Sequence, residues 1–227
     1  MDAPKGLLAH HPRLRVNLPA VAAALAALQR GFHRRAEELG ARDPIDDRVI
    51  ANMLAGYAFV DALVGDGIDV LAMGSLKHLL EMNTLVLCGT SPDLRDQHAG
   101  HIEATERRFY EEPDGGIRDV VEWYAGHRAD PVWDRAAGTY VRMLSKPQLF
   151  IEGNHRTGAL MMSYLLLRDG RPPFVLGPDD APVYFGGSRA IRDVDKRSPI
   201  MRFRLSSVAQ SLAKLLQEQS DPALVLP

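Results

Sequence analysis

The sequence has little cysteine and no long apolar run. Among its 227 residues Cys88 is the single cysteine, so no disulfide can form within the chain, and this favours a reducing compartment. No stretch of about 18 or more apolar residues is present, and the N-terminus lacks the charged-then-apolar order of a signal peptide. The sequence therefore predicts a cytoplasmic protein without a membrane partner.

A large excess of charge of one sign is also missing. The formal net charge is −2 and the pI is about 6.4, which argues against nucleic acid as a partner because no broad basic surface can form. A hydrophobic content of 46% and a charged content of 25% are ordinary for a folded protein. We expect an N-terminal arm over residues 1–16 and a single helical domain over residues 17–227.

The domain is expected to be organised around residues 147–170. Pro147 disfavours a helical residue before it, so Gln148 to Gly153 should form a loop, and a helix should begin near Asn154. From Thr157 to Leu167 this helix is apolar on nearly every side, and it is too short to cross a bilayer. The sequence therefore predicts a buried helix at the centre of an all-α domain.

The first turn of this central helix has the composition of an anion site. Gly153 lets the backbone approach a ligand, and Asn154 can cap the helix. The free amides from there to Thr157, with Arg156 beside them, are suited to bind phosphate. Glu152 supplies an oxygen of the kind that Mg²⁺ uses when it also holds substrate phosphates. The alternative is an ordinary helix start with solvated charges.

Residues 148–159 read QLFIEGNHRTGA and resemble the signature segment of the Fic/Doc (Fido) proteins, whose pattern is H-x-F-x-[D/E]-[G/A]-N-[G/K]-R-x-x-R. Asp130 to Leu144 resembles the helix that leads into this signature. The resemblance implies a Fic-like helical bundle with a central buried helix after the signature loop, here residues 148–153. It also implies a nucleotidyltransferase that uses ATP and magnesium to move AMP onto a hydroxyl of a target protein, or phosphate in the Doc branch.

Three positions depart from the family pattern. Gln148 stands where the family has its catalytic His, and an amide cannot accept a proton. His155 replaces the usual Gly or Lys, and Ala159 stands in place of the second Arg. AMP transfer in the manner of typical members is therefore in doubt. If the chain is active, His155 is the nearest alternative base because its intrinsic pKa suits that task.

Two further segments bear on function. Leu80 to Leu85 resembles the inhibitory helix of autoinhibited Fic proteins, which implies that Glu81, followed by Asn83, faces the second Arg of the signature. The alternative for Glu81 is a surface charge. Glu111 to Gly116 is a short acidic loop where the family has a β-hairpin flap that holds the protein target.

These observations leave two functional hypotheses open. The first is a divergent Fic-fold transferase-like protein that binds a nucleotide or another phosphate-bearing small molecule, and transfers a nucleotidyl or phosphoryl group to a hydroxyl with a non-standard base. The second is a catalytically inactive Fic-fold module, a pseudoenzyme that acts by binding a protein or a small ligand.

The remaining elements are expected to be helices. We predict them over Asn17 to Leu39, Ile68 to Cys88 with a break near Gly74, Ser91 to Tyr110, and Pro199 to Gln219. The first of these packs either on the core or on a second subunit, so a homodimer is one of two expectations. The last is expected to bury Ile200 and Phe203.

Overall fold

The computed structural model of the protein describes residues 14–34, 45–200 and 202–226, and within these ranges the protein is almost entirely helical. The ten described helices are α1 (Leu18–Arg34), α2 (Asp47–Gly65), α3 (Lys77–Cys88), α4 (Pro92–Gln97), α5 (Ala99–Glu111), α6 (Ile117–Gly126), α7 (Val132–Leu144), α8 (Asn154–Arg168), α9 (Ala181–Arg192) and α10 (Arg202–Glu218). The strands β1 (Arg15–Val16) and β2 (Val225–Leu226) have two residues each. The all-α prediction is confirmed, whereas residues 1–13 of the expected arm lie outside the described ranges.

Helix α8 lies at the centre of the fold, as the apolar pattern predicts. It packs against α7, α2 and α3, and every residue from Thr157 to Leu167 is buried. Two close approaches need glycine. A Cβ on Gly158 would lie 2.6 Å from Cδ2 of Tyr140 in α7, and one on Gly56 of α2 would lie 2.4 Å from Cδ1 of Leu160. The neighbouring helices therefore pack directly against the turn that follows the signature loop.

The two ends of the described chain meet on α2. Strand β1 pairs antiparallel with β2. Asp61 of α2 is buried and accepts hydrogen bonds from Nε of Arg15 at 3.0 Å and from the amide of Val16 at 2.8 Å. Burial alone would raise the pKa of Asp61, but these donors outweigh it and lower the pKa below its usual range.

By length and composition, α2 is also the one described helix that could cross a membrane. A core helix satisfies the same criteria, and α2 packs against α1, α3 and α8.

Two boundary predictions were wrong. The helix expected from Ile68 begins only at Lys77, because Gly74 has a φ of 88° and the chain turns before that point. The helix expected over Ser91 to Tyr110 is divided into α4 and α5 at His98.

Ile200 and Phe203 are 80% and 84% exposed, contrary to the prediction that the last helix buries them. Ile200 precedes α10. Phe203 lies two residues before Leu205, and residues two apart on a helix point to nearly opposite sides. Because Leu205 is buried, Phe203 faces away from the core.

Candidate functional site

The side chain of Asn154 holds the signature loop in shape. Its Nδ2 donates to the carbonyl of Phe150 at 2.8 Å, and its Oδ1 accepts from the amide of the same residue at 2.9 Å. Phe150 is buried and stacks on Phe109 with ring centroids 5.6 Å apart. Asn154 thus braces the loop from within instead of capping the helix, and only its backbone amide is left for a ligand.

Gly153 is the residue that caps α8, and its conformation requires glycine. Its φ is 76°, and a Cβ there would lie 2.9 Å from Nδ2 of Asn83. That same nitrogen donates to the carbonyl of Glu152 at 2.9 Å and to Oγ1 of Thr157 at 3.0 Å. Among the described residues no side chain caps the first turn, so the amides of residues 154–156 are available to an anion. The amide of Thr157 donates to the Gly153 carbonyl at 2.9 Å, and its hydroxyl is buried against Asn83, so Thr157 does not add to them.

A cation and an anion lie side by side at this helix start. Nη2 of Arg156 is 3.9 Å from Oε1 of Glu152, and their side chains are 30% and 62% exposed. Nη1 of Arg156 donates to the carbonyl of Val86 at 2.8 Å, which anchors the guanidinium to α3. Phosphate oxygens suit the guanidinium and the amides, whereas a cation suits the carboxylate.

The described residues include no cluster of three or more His, Cys, Asp or Glu side chains that could hold a metal ion. A magnesium ion at this site would therefore depend on Glu152 and on the phosphates of its ligand. Mg²⁺ commonly binds in this manner, through one or two carboxylates, phosphates and waters, so the single carboxylate fits such an ion.

Gln148, for which the resemblance implies the position of the catalytic base, carries no ionisable group. Its carbonyl accepts hydrogen bonds from Nε and Nη2 of Arg108 at 3.0 and 2.8 Å, and its Oε1 is 3.4 Å from Nδ2 of Asn154. Arg108 lies on α5, forty residues earlier, and sequence analysis missed it because no local pattern reports so distant a contact. Residue 148 therefore presents an amide, and a guanidinium lies against its backbone.

His155 packs in an aromatic cluster. Nδ1 of His155 is 2.9 Å from the hydroxyl of Tyr140, and the rings of Tyr184 and Phe185 lie about 6 Å from its ring. Burial, and then the charges of two arginines, lower the pKa of His155 to about 4. The ring is thus neutral at neutral pH, and it is a weaker base than a solvated histidine.

The predicted inhibitory residue Glu81 pairs with a residue outside the signature segment. Glu81 forms a two-point ion pair with Arg95, with oxygen–nitrogen distances of 2.7 and 3.2 Å. Ala159, at the position of the family's second Arg, is buried in the core. Asn83, in contrast, touches the signature loop directly. Arg95 was missed in the sequence because it belongs to the next helix.

The acidic loop after α5 packs against the start of the signature loop. A Cβ on Gly115 would lie 2.3 Å from Cγ of Pro147, and Nζ of Lys196 donates to the Gly115 carbonyl at 3.4 Å. Residues 112–116 contain no strand. A short turn thus stands at the position where the resemblance implies a β-hairpin flap.

No protein-family model matches this chain. Protein adenylyltransferase fic-1 from Caenorhabditis elegans is 28% identical over 139 residues, which is 57% of this chain and 26% of that protein, so the chain spans about a quarter of its relative's length. A solved structure of a Fic-1 fragment from Caenorhabditis elegans is 17% identical and has a TM-score of 0.48, covering 88% of this chain and 63% of that one. The sequence similarity to this adenylyltransferase confirms the predicted resemblance of the chain to the Fic/Doc (Fido) proteins.

Proposed function

We propose that the chain is a divergent Fic-fold transferase-like protein that binds a phosphate-containing ligand, a nucleotide-type donor such as ATP, at residues 148–156. The observation that supports this most directly is the start of α8. An uncapped first turn follows Gly153, with Arg156 and Glu152 at its rim. At a helix start that binds no ligand, a residue whose side chain caps the helix would stabilise the fold better than a glycine with a positive φ beside two opposite charges.

Each residue has a defined role in this proposal. Arg156 and the first-turn amides hold phosphate oxygens, while Glu152 holds Mg²⁺, which neutralises charge on those oxygens when bound. Asn154 and Asn83 keep the loop in the shape that binding needs. Binding requires Arg156 to leave its distant partner Glu152, but its bond to the Val86 carbonyl can persist.

The acceptor in this proposal is a hydroxyl, and its activation differs from that of typical Fic proteins. Gln148 cannot remove a proton. His155 can do so only weakly, because its pKa is lowered to about 4 and its ring lies against Tyr140. Phosphoryl transfer depends mainly on positioning and charge stabilisation, so slow transfer to an acceptor without a strong base is consistent with this site.

Ligand binding is the first test. Melting temperatures are measured with ATP, GTP, CTP, UTP, nucleotide sugars and phosphocholine donors, each with Mg²⁺, on the wild type and on Arg156→Ala. We expect at least one donor to raise the melting temperature of the wild type and not that of the variant. Arg118→Ala is the matched control, since Arg118 also pairs with a glutamate four residues away but lies on α6. A shift that Arg156→Ala retains would contradict the assigned site.

The alternative is the inactive module, and the geometry of Gln148 favours it. The amide at the base position and the guanidinium of Arg108 against its carbonyl leave no proton acceptor there. Transfer of label from a nucleotide by the wild type, and its loss in Glu152→Gln, would exclude the module. Binding without transfer, and no transfer in Gln148→His, would support it.

A further inference from the structure

A second cleft lies between α3 and α5, and its lining includes Asn83, which also contacts the signature loop. Its volume is about 210 Å³, and Asn83, Lys77, His101, Thr105 and Glu106 are among its lining residues. Pockets for drug-sized ligands occupy roughly 300–1,000 Å³. The cleft is therefore too small for a nucleotide and is suited to a molecule of amino-acid size.

Two polar atoms in the wall of this cleft have no partner among the described residues. They are Nε2 of His101 and Oγ1 of Thr105, one turn apart on α5, and both are buried. Thr105 as a whole is 3% exposed. A buried polar atom without a hydrogen bond loses its interaction with water and gains nothing in return, and such atoms are rare in folded proteins. A small molecule bound in the cleft would supply a hydrogen-bond partner for these atoms.

The two helices that form the cleft carry charges of both signs that have no ion-pair partner among the described residues. Lys77 is in the first turn of α3 and Glu106 is on α5, and neither forms a salt bridge with any residue in the described ranges. Glu81 also lines the cleft but is already neutralised by Arg95. One cation and one anion, with Leu80 as an apolar lining residue of the same cleft, match a ligand that carries a carboxylate and an ammonium group.

We propose that the cleft between α3 and α5 binds a small zwitterionic molecule of the free amino acid class, with its carboxylate toward Lys77, its ammonium toward Glu106, and hydrogen bonds to His101 and Thr105. None of residues 148–156 is among the lining residues of the cleft, and the proposal does not depend on transfer activity. Asn83 joins the two, because it lines the cleft and donates to the Glu152 carbonyl and to Thr157. A ligand in the cleft thus lies one side chain away from the signature loop.

Isothermal titration calorimetry with each standard free L-amino acid as the probe tests the proposal on the full chain. We expect saturable binding of at least one of them, and we expect Thr105→Val and Glu106→Gln each to weaken it about tenfold or more. Arg156→Ala should leave this affinity unchanged, which separates the cleft from the phosphate site. Absence of binding to the wild type, or equal binding by Thr105→Val and Glu106→Gln, would overturn the proposal.

Stability without ligand gives an independent readout. Thr105→Val removes an unpaired hydroxyl, so the melting temperature should stay the same or rise. Thr139→Val is the matched control, because Thr139 is equally buried but donates to the Arg135 carbonyl at 2.7 Å, and its loss should lower the melting temperature. If Thr105→Val destabilises the protein as much as Thr139→Val does, the Thr105 hydroxyl has an internal partner, and the basis of the proposal is lost.

Discussion

At the scale of single residues, Gly153 and Asn83 meet where the signature loop enters α8. Gly153→Ala would place a Cβ 2.9 Å from Nδ2 of Asn83 at a φ of 76°, which an L side chain rarely adopts. We expect the free energy of unfolding to fall by about 1–3 kcal/mol in urea titrations. Donor binding should be lost as well, because Asn83 also holds Glu152 and Thr157.

Gly100→Ala is the control for this substitution. Gly100 lies in α5 with an ordinary helical φ, and a Cβ added to it would meet no heavy atom within 4 Å, so alanine should be neutral or slightly stabilising there. Equal effects of the two substitutions would show that the conformation of Gly153 is not a constraint.

His155 makes stability depend on pH. The pKa of His155 is about 4 in the folded protein and about 6.5 in the unfolded chain. Between pH 4 and pH 6.5 the ring is therefore protonated in the unfolded chain and neutral in the folded protein. The free energy of unfolding should therefore be constant above pH 6.5 and fall as the pH drops toward 4, by at most about 3 kcal/mol.

The measurement is urea unfolding at a series of pH values on the wild type, His155→Phe and His98→Gln. His155→Phe should flatten the dependence in this window, whereas His98 is exposed, and its replacement should leave the slope as in the wild type. An unchanged slope in His155→Phe would mean that other groups cause the acid sensitivity.

At the scale of elements, a buried lysine connects α6, α7 and the segment after α9. Nζ of Lys196 lies 3.1 Å from Oδ2 of Asp119 and donates to the carbonyl of Arg142 at 3.1 Å, while the Arg142 guanidinium also bonds Asp119. Burial lowers the pKa of Lys196, although Asp119 opposes this. The network holds the segment that leads into the signature loop, because the Lys196 amide donates to the Lys146 carbonyl.

Lys196→Met should reduce the free energy of unfolding by about 2–4 kcal/mol, because Asp119 and two carbonyls lose a buried donor. Chemical denaturation is the measurement. Lys214→Met is the control: Lys214 is 76% exposed and its ion pair with Glu218 should contribute less than about 0.5 kcal/mol. A small effect of Lys196→Met would mean that Arg142 alone satisfies Asp119.

Helix α8 and helix α10 show how far elements could be predicted from the sequence. Nearly every position of α8 after Thr157 is apolar, and only a central place in the fold can bury such a helix. Phe203 and Ile200 belong to an apolar series as well, yet both are exposed, because Ile200 precedes α10 and Phe203 lies on the side of α10 away from Leu205. A shift of the helix start by a few residues changes which side chains face the core, and local pattern does not fix that start.

At the scale of the whole molecule, the buried apolar residues of the described ranges form one cluster that extends from α1 to α10. We propose on this basis that residues 17–227 fold as a single unit. Tryptophan fluorescence reports on α6 and α7, which carry Trp123 and Trp133, whereas far-UV ellipticity reports on all helices. If the chain unfolds as a single unit, the two signals should give coincident urea transitions. Separate transitions would indicate two folding units.

The sequence by itself determined the helical class, the central helix and the signature loop with its departures Gln148, His155 and Ala159. These depend on residue identity and short spacing along the chain. The tertiary structure alone decided which groups meet across long separations. Asn83 and Arg108 hold the loop, Arg95 pairs with Glu81, and the two unpartnered atoms lie beside a cleft. Such contacts follow from how helices pack against each other, and a local pattern carries no record of that packing.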